Sequence, residues 1–184
     1  MSESTGAEWQ PVEVYSTFLR IRGEMLIQPP LRLSDEVNRL LDYLQLRNTT
    51  TEPLLATYPM VSPTEPNTTI EKASVVMILP GGEQAGQNRM MWREKVRHQV
   101  VLNTTAFSMA TDVHLEPRIS LLTHLQRSQR DFLPVTRVSA VLVASLTGIA
   151  EGTPPQTMER AFALVNPRHI VSFSVRASEG PEPD

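Results

Sequence analysis

The chain contains no cysteine among its 184 residues, and this absence excludes several kinds of chemistry. Disulfide bridges, thiolate nucleophiles and zinc sites built on thiolates are all ruled out. Aromatic side chains are only 5% of the residues, so we expect a core of leucine, valine, isoleucine and methionine. No apolar run approaches the roughly 18–20 residues needed to cross a bilayer as a helix, so no membrane segment is predicted.

A strong excess of charge is also missing. The formal net charge of −3 argues against a protein whose whole surface binds nucleic acid. Residues 1–5 lack the basic start and apolar stretch of a signal peptide, which predicts a cytoplasmic location.

Recognisable catalytic motifs are missing as well. The chain has no Gly-x-Ser-x-Gly elbow, no complete phosphate-binding loop and no His-Glu-x-x-His sequence. Asp112 and His114 would share one face of a strand, but no third ligand follows at a recognisable spacing. We therefore predict a protein that is not an enzyme and that holds no metal or cofactor.

What the sequence does contain is an approximate internal repeat. Residues 14–17 resemble 102–105, residues 31–41 resemble 117–125, and residues 75–80 resemble 162–167. The three matches keep their order at a nearly constant separation, which is typical of a diverged tandem duplication.

Local patterns give each half the same predicted elements. Alternating apolar residues indicate strands, and the continuous apolar run 73–79 indicates a buried strand. Ser34 and Ser120 are predicted N-caps of two short amphipathic helices, the first ending near Arg47. The predicted fold is mostly β (α+β), with two similar small β-rich lobes. Each lobe would be a curled or barrel-like antiparallel sheet with one short helix.

The predicted boundaries follow changes in composition along the chain. Two further segments are interpreted individually: residues 49–67 as irregular and proline-rich, and residues 162–175 as a closing hairpin. The predicted divisions are a disordered tail (1–10), the first lobe (11–82), a linker (83–99), the second lobe (100–176) and a disordered acidic tail (177–184).

Two motifs carry a resemblance to a known group of proteins. Residues 32–38 resemble the Arg-Leu-Ser-Asp-x-Leu-Asn signature of small bacterial proteins of unknown function. Residues 132–138 resemble the Phe-Leu-x-Leu-Thr-x-Val block that follows this signature. The second half departs from the signature at Leu121 and His124, where Asp and Asn are expected. The resemblance implies no activity. Separately, residues 162–175 resemble the closing strands of SH3-like and Sm-like barrels.

Arg32, Asp35 and Asn38 form the first candidate site. Beside a helix N-terminus they could bind a small anion or a peptide, with Arg32 as the fixed cation. The alternative is purely structural, because a Ser-Asp pair at this position commonly caps a helix and complements its dipole.

A basic segment provides the second candidate site. Arg89, Arg93, Lys95 and Arg97 surround Trp92, and such a cluster can neutralise phosphates while tryptophan stacks on a base. The alternative is that this segment packs between the two lobes.

These observations leave two function hypotheses. The leading one is a non-catalytic cytoplasmic protein-interaction or scaffold protein, which binds a protein partner or self-associates through exposed sheet edges. The other is a nucleic-acid-binding module with an SH3-like or Sm-like barrel.

Overall fold

The computed structural model describes residues 6–54, 64–81, 95–128, 132–143 and 156–176. Within these ranges the chain forms ten strands and two short α-helices, so the prediction of a mostly β fold is confirmed. The helices are α1 (Leu33–Arg39) and α2 (Leu121–Arg127). The strands are β1 (Glu8–Ser16), β2 (Leu19–Ile27), β3 (Tyr43–Pro53), β4 (Thr64–Glu71), β5 (Val75–Pro80), β6 (Val96–Thr104), β7 (Phe107–Leu115), β8 (Leu133–Leu142), β9 (Thr157–Val165) and β10 (Ile170–Val175).

All ten strands belong to one antiparallel sheet, in the order β10-β6-β7-β8-β9-β5-β1-β2-β3-β4. Among the strands of the described ranges the sheet is not closed, so β10 and β4 are its two edge strands there. The two halves of the chain meet in the middle of the sheet, where β5 pairs with β9.

Each half follows the same order of elements and the same order of pairing. Two strands, a helix, two strands, a 3-10 turn and a fifth strand occur in both. In both halves the fifth strand pairs with the first, and the others follow in sequence. Each of the first three elements begins 88 residues before its counterpart in the second half. The 3-10 turns (Lys72–Ser74 and Pro167–His169) and the fifth strands are separated by 95.

Local details recur at the same places. The hydroxyl oxygens of Ser16 and Thr104 each accept a 2.9 Å hydrogen bond from the backbone N–H three residues later, which closes the first hairpin of each half. Left-handed backbone occurs at Asn48 (φ 52°) and at Arg137 (φ 51°), in β3 and β8. The third strands therefore bend in the same way in both halves.

The core is divided between the two faces of the central strands. Met77 and Leu79 of β5 pack into a core formed mainly by the second half, whereas Ile78 packs into the core of the first half. On β9, Val165 and Leu164 are divided in the same way. Strand β5 is thus buried on both faces, as its continuous apolar run predicts.

The first helix differs from the prediction at both ends. It begins at Leu33, so Ser34 lies inside it; the Asp35 carboxylate caps the start by accepting from the Arg32 backbone N–H at 3.1 Å. The helix ends at Arg39 rather than near Arg47, because Leu44 is recruited into β3.

The second helix agrees with the prediction. Ser120 is its N-cap, and the serine hydroxyl oxygen accepts from the Thr123 backbone N–H at 3.1 Å. This arrangement satisfies one of the N–H groups left free in the first turn.

The predicted closing hairpin at 162–175 is wrong. Strand β9 pairs with β8 and β5, while the 3-10 turn carries the chain away so that β10 pairs with β6. The third sequence match also joins elements with different places in the fold, since 75–80 is β5 and 162–167 is the end of β9 and the following turn. Much of 49–67 is regular, because β3 extends to Pro53 and β4 begins at Thr64.

Two predicted boundaries also move. Strand β1 begins at Glu8, inside the expected tail, and Trp9 lies in it with the Arg47 guanidinium carbon 4.1 Å from the ring centroid. Strand β6 begins at Val96, inside the expected linker. The remainder of that linker before Lys95 and the acidic tail 177–184 lie outside the described residues. Neither helix in the described ranges has the length and apolar character needed to cross a membrane.

Candidate functional site

The most informative contact joins α1 of the first half to the start of β8. Phe132 is only 2% exposed and belongs to the first-half core. Asn38 holds its backbone on both sides: Oδ1 accepts from the Phe132 N–H at 2.7 Å, and Nδ2 donates to the Phe132 carbonyl at 3.3 Å. The Lys72 Nζ lies 5.8 Å from the ring centroid. We call this occupied site between α1 and the 3-10 turn before β5 the junction groove.

Asn166 forms a second set of contacts between the halves. It is buried, and its backbone N–H donates to the Val76 carbonyl at 2.9 Å. Its side-chain Nδ2 donates to the carbonyls of Val75 at 2.8 Å and of Lys72 at 3.2 Å. The turn after β9 is therefore fixed to the edge of β5 by backbone-directed hydrogen bonds.

An open groove lies at the other end of the sheet, between α2 and the edge strand β10. Its volume is about 550 Å³. Among the described residues, β10 pairs only with β6, so the other side of this strand has no neighbour there. We call this site the edge groove. It is lined by Leu125, Gln126, Pro167, Arg168, Ile170, Val171, Ser172 and Phe173.

The edge groove occupies the same position in its half as the junction groove does in the first half. The separation of 88 residues between the helices places Leu125 and Gln126 where α1 has Val37 and Asn38. The separation of 95 residues places β10 where the first half has β5. One groove is filled by Phe132, and its counterpart contains no described residue.

Strand β10 has the composition of a strand that can accept a neighbour. Residues Ile170–Val175 include no charge and no proline, and Val171 is 72% exposed. Uncharged edge strands readily pair with another chain, since their outer N–H and C=O groups are unused. The opposite edge strand, β4, carries Glu65 and Pro66 near its start, so pairing with another strand is restricted to its last residues, Asn67–Glu71.

The first predicted site is only partly brought together. Arg32 and Asp35 are exposed, and Asp35 caps the helix, as the structural alternative proposed. Asn38 faces the other way and binds the Phe132 backbone. The three residues therefore do not converge on a common ligand.

The second predicted site can be described only in part, because Arg89, Trp92 and Arg93 lie outside the described residues. Lys95 and Arg97 are exposed at the start of β6.

These two cations lie near a buried carboxylate and a histidine. Asp112 is ion-paired with Arg137, and the hydrogen bond from Arg137 holds the pKa of Asp112 below its usual value. Burial, assisted by Lys95, Arg97 and Arg137, lowers the pKa of His114, although Asp112 opposes the shift. Three cationic side chains, Lys95, Arg97 and Arg137, thus surround a single carboxylate, that of Asp112.

Sequence reasoning missed the edge groove. It found the apolar alternation of β10, but a strand's alternation does not reveal which strands lie beside it. Phe132 is the first residue of the 132–138 motif, but nothing in the sequence indicates that it contacts α1.

The described part of the chain contains no group of three or more acidic or histidine side chains placed to hold a metal ion. Comparisons of the chain with protein-family models, with curated proteins and with solved structures find no match.

Proposed function

We propose that the chain is a non-catalytic protein-interaction protein whose edge groove binds an extended segment of a protein partner. One observation carries this proposal: the junction groove is filled by Phe132, whereas the equivalent edge groove is open. The molecule itself therefore contains an example of the kind of contact that we propose for the edge groove.

The internal contact also indicates how a partner would bind. A strand added to β10 would form main-chain hydrogen bonds along the free edge, the mode known as β-augmentation. An apolar or aromatic side chain beside that strand would enter the groove against Leu125 and Phe173. Gln126 would hold the partner's backbone with its amide, in the way that Asn38 holds Phe132.

We further propose that the two halves descend from one duplicated unit. The support lies in the common order of elements and of strand pairing and in the repeated hairpin hydrogen bonds of Ser16 and Thr104. On this proposal, the junction groove and the edge groove are two copies of one ancestral binding surface.

The test is selection from a phage-displayed library of random linear peptides on immobilised full-length protein. We expect enriched peptides that share an aromatic or large apolar residue in an extended sequence. They should lose binding to Val171→Glu, which places a charge on the exposed edge, and keep binding to the control Thr69→Glu on the opposite edge strand. Absence of enrichment, or equal binding to both variants, would contradict the proposal.

Nucleic-acid binding is the second candidate function, favoured by the cationic surface of Lys95, Arg97 and Arg137. Titration with a fluorescent single-stranded oligonucleotide at two salt concentrations tests it. If this surface binds phosphates, Lys95→Gln should reduce the dependence of log affinity on log salt by about one unit. An oligonucleotide that is not retained at low salt would rule the candidate out.

A further inference from the structure

We propose that the partner of the edge groove is a second copy of this chain, which inserts Tyr43 into the groove and adds its strand β4 to β10. This inference rests on the proposed function of the edge groove and identifies its occupant. The contact would join opposite ends of two molecules, with the β4 end of one copy as the head and the β10 end of the next as the tail.

Tyr43 is the residue that stands where Phe132 stands in the other half. Leu44 pairs with Ile70 on β4, and Leu133 pairs with Val165 on β9. Ile70 and Val165 are the equivalent residues before the two 3-10 turns, so the residues preceding the two leucines, Tyr43 and Phe132, are equivalent too. Phe132 is buried in a groove, whereas Tyr43 is 58% exposed on the outside of the molecule.

The apolar surface beside Tyr43 extends this argument. Leu41 is 86% exposed and lies two residues before Tyr43. At the other end of the sheet, Val171 and Val175 are exposed on β10. Large apolar side chains are thus exposed at both ends of the sheet, which are the two surfaces that the head-to-tail contact would cover.

The pairing of β5 with β9 inside the molecule predicts the register of the proposed contact between β10 and β4. Met77 pairs with Val165, and Ile78 pairs with Leu164. Transferring this pairing by the separation of 95 residues places Ser172 opposite Ile70 of the second copy. Phe173 then lies opposite Thr69 of that copy.

Charge at the two ends is complementary in this register. Glu71 takes the place of Asn166, the residue whose backbone and side chain bind the carbonyls before and within β5. Ala73 lies between two of the residues whose carbonyls Asn166 binds, Lys72 and Val75, and its counterpart in the second half is Arg168. The Glu71 carboxylate of one copy would therefore lie beside the Arg168 guanidinium of the next.

Comparison of the equivalent residues predicts that the contact between β10 and β4 is weaker than the pairing of β5 with β9. Ser172 and Ser174 replace Met77 and Leu79, and Thr69 replaces Leu164. Less apolar surface would be removed from water, so association should be reversible and depend on concentration. Because the head and the tail are different surfaces, the contact is heterologous, and repetition gives either a closed ring or an open filament.

The test uses one variant for each end. Tyr43→Glu changes only the head and Val171→Glu changes only the tail; both side chains are exposed, and circular dichroism checks that both variants fold. Analytical ultracentrifugation of wild type should show an average mass that rises above the 20.6 kDa monomer with concentration. Each variant alone should remain at the monomer mass.

An equimolar mixture of the two variants gives the decisive result. One intact head and one intact tail remain, so the mixture should form a species of twice the monomer mass and nothing larger. Phe18→Glu, at another exposed aromatic residue, should assemble as wild type does. A monomeric wild type, variants that assemble alone, or a mixture that stays monomeric would each overturn the proposal.

A disulfide test checks the register. The natural chain has no cysteine, so a mixture of Thr69→Cys and Phe173→Cys can form disulfides only between molecules. Directly opposed residues of antiparallel strands are close enough for this bond. We expect a crosslinked heterodimer, and none from Thr69→Cys mixed with Ser139→Cys on a different strand; equal crosslinking of both mixtures would overturn the register.

The peptide selection separates the two levels of the argument. If wild type stays monomeric but selected peptides still bind through Val171, self-association fails and the proposed function stands. If neither occurs, both fail.

Discussion

Replacing Phe132 and Tyr43 by alanine, one at a time, tests the equivalence of these two positions. The Phe132 ring is 2% exposed and lies in the first-half core, so Phe132→Ala leaves a cavity. Substitutions of this kind lower the free energy of unfolding by about 3–5 kcal/mol. Tyr43 is 58% exposed, and Tyr43→Ala should change the free energy of unfolding of the monomer by no more than about 0.5 kcal/mol.

Urea denaturation followed by tryptophan fluorescence, at a protein concentration low enough to keep the chain monomeric, measures both values. The two variants should then exchange their ranking in a second assay. Tyr43→Ala should weaken concentration-dependent association in the ultracentrifuge, whereas Phe132→Ala should leave the head and tail surfaces in place. Equal losses of stability would refute the reasoning that the Phe132 ring fills a groove within the molecule whereas the Tyr43 ring contacts none.

Three further predictions concern individual side chains. Asn38→Ala removes a hydrogen-bond acceptor from a buried backbone N–H and should lower the free energy of unfolding by about 1–3 kcal/mol, while Gln126→Ala at the equivalent position should leave it nearly unchanged; urea denaturation compares them. The pKa of Asp112 is lowered by its hydrogen bond from Arg137, so its stabilising contribution should be present above about pH 4 and be lost as the pH falls through its folded-state pKa; urea midpoints across this range should vary less for Asp112→Asn than for wild type. Burial and the hydrogen bond to Glu13 raise the pKa of Tyr15 to about 12, so its contribution is present below pH 10.0 and is lost as the pH rises toward 12; the difference in phenolate absorbance between wild type and Tyr15→Phe should show this late titration.

The helix and strand patterns show how far the sequence could predict the fold. Capping chemistry located the second helix correctly at Ser120, because its hydroxyl acts within four residues of chain. The pattern predicts a first helix that is too long, because Leu44 fits a helical repeat as well as a strand repeat. The strand forms because Leu44 pairs with Ile70 on β4 and is buried in the first-half core, which is a long-range effect.

The candidate site was harder to predict because it depends on which strands are neighbours. The sequence of β10 reads as a strand with one apolar face, and so would that of a strand paired on both sides. The difference arises at the 3-10 turn Pro167–His169, which directs the chain to β6 instead of back along β9. The sequence around Asn38 predicts a binding residue, but its partner Phe132 lies 94 residues away and has no signal near Asn38.

The burial of β5 on both faces has a consequence for how the molecule melts. Met77 belongs to one core and Ile78 to the other, so unfolding either half would strip one face of this strand and expose it to water. Neither half would therefore remain folded once the other has unfolded, and the unfolding transition becomes cooperative across the whole chain. Thermal denaturation should show a single calorimetric peak, although the described residues form two hydrophobic cores.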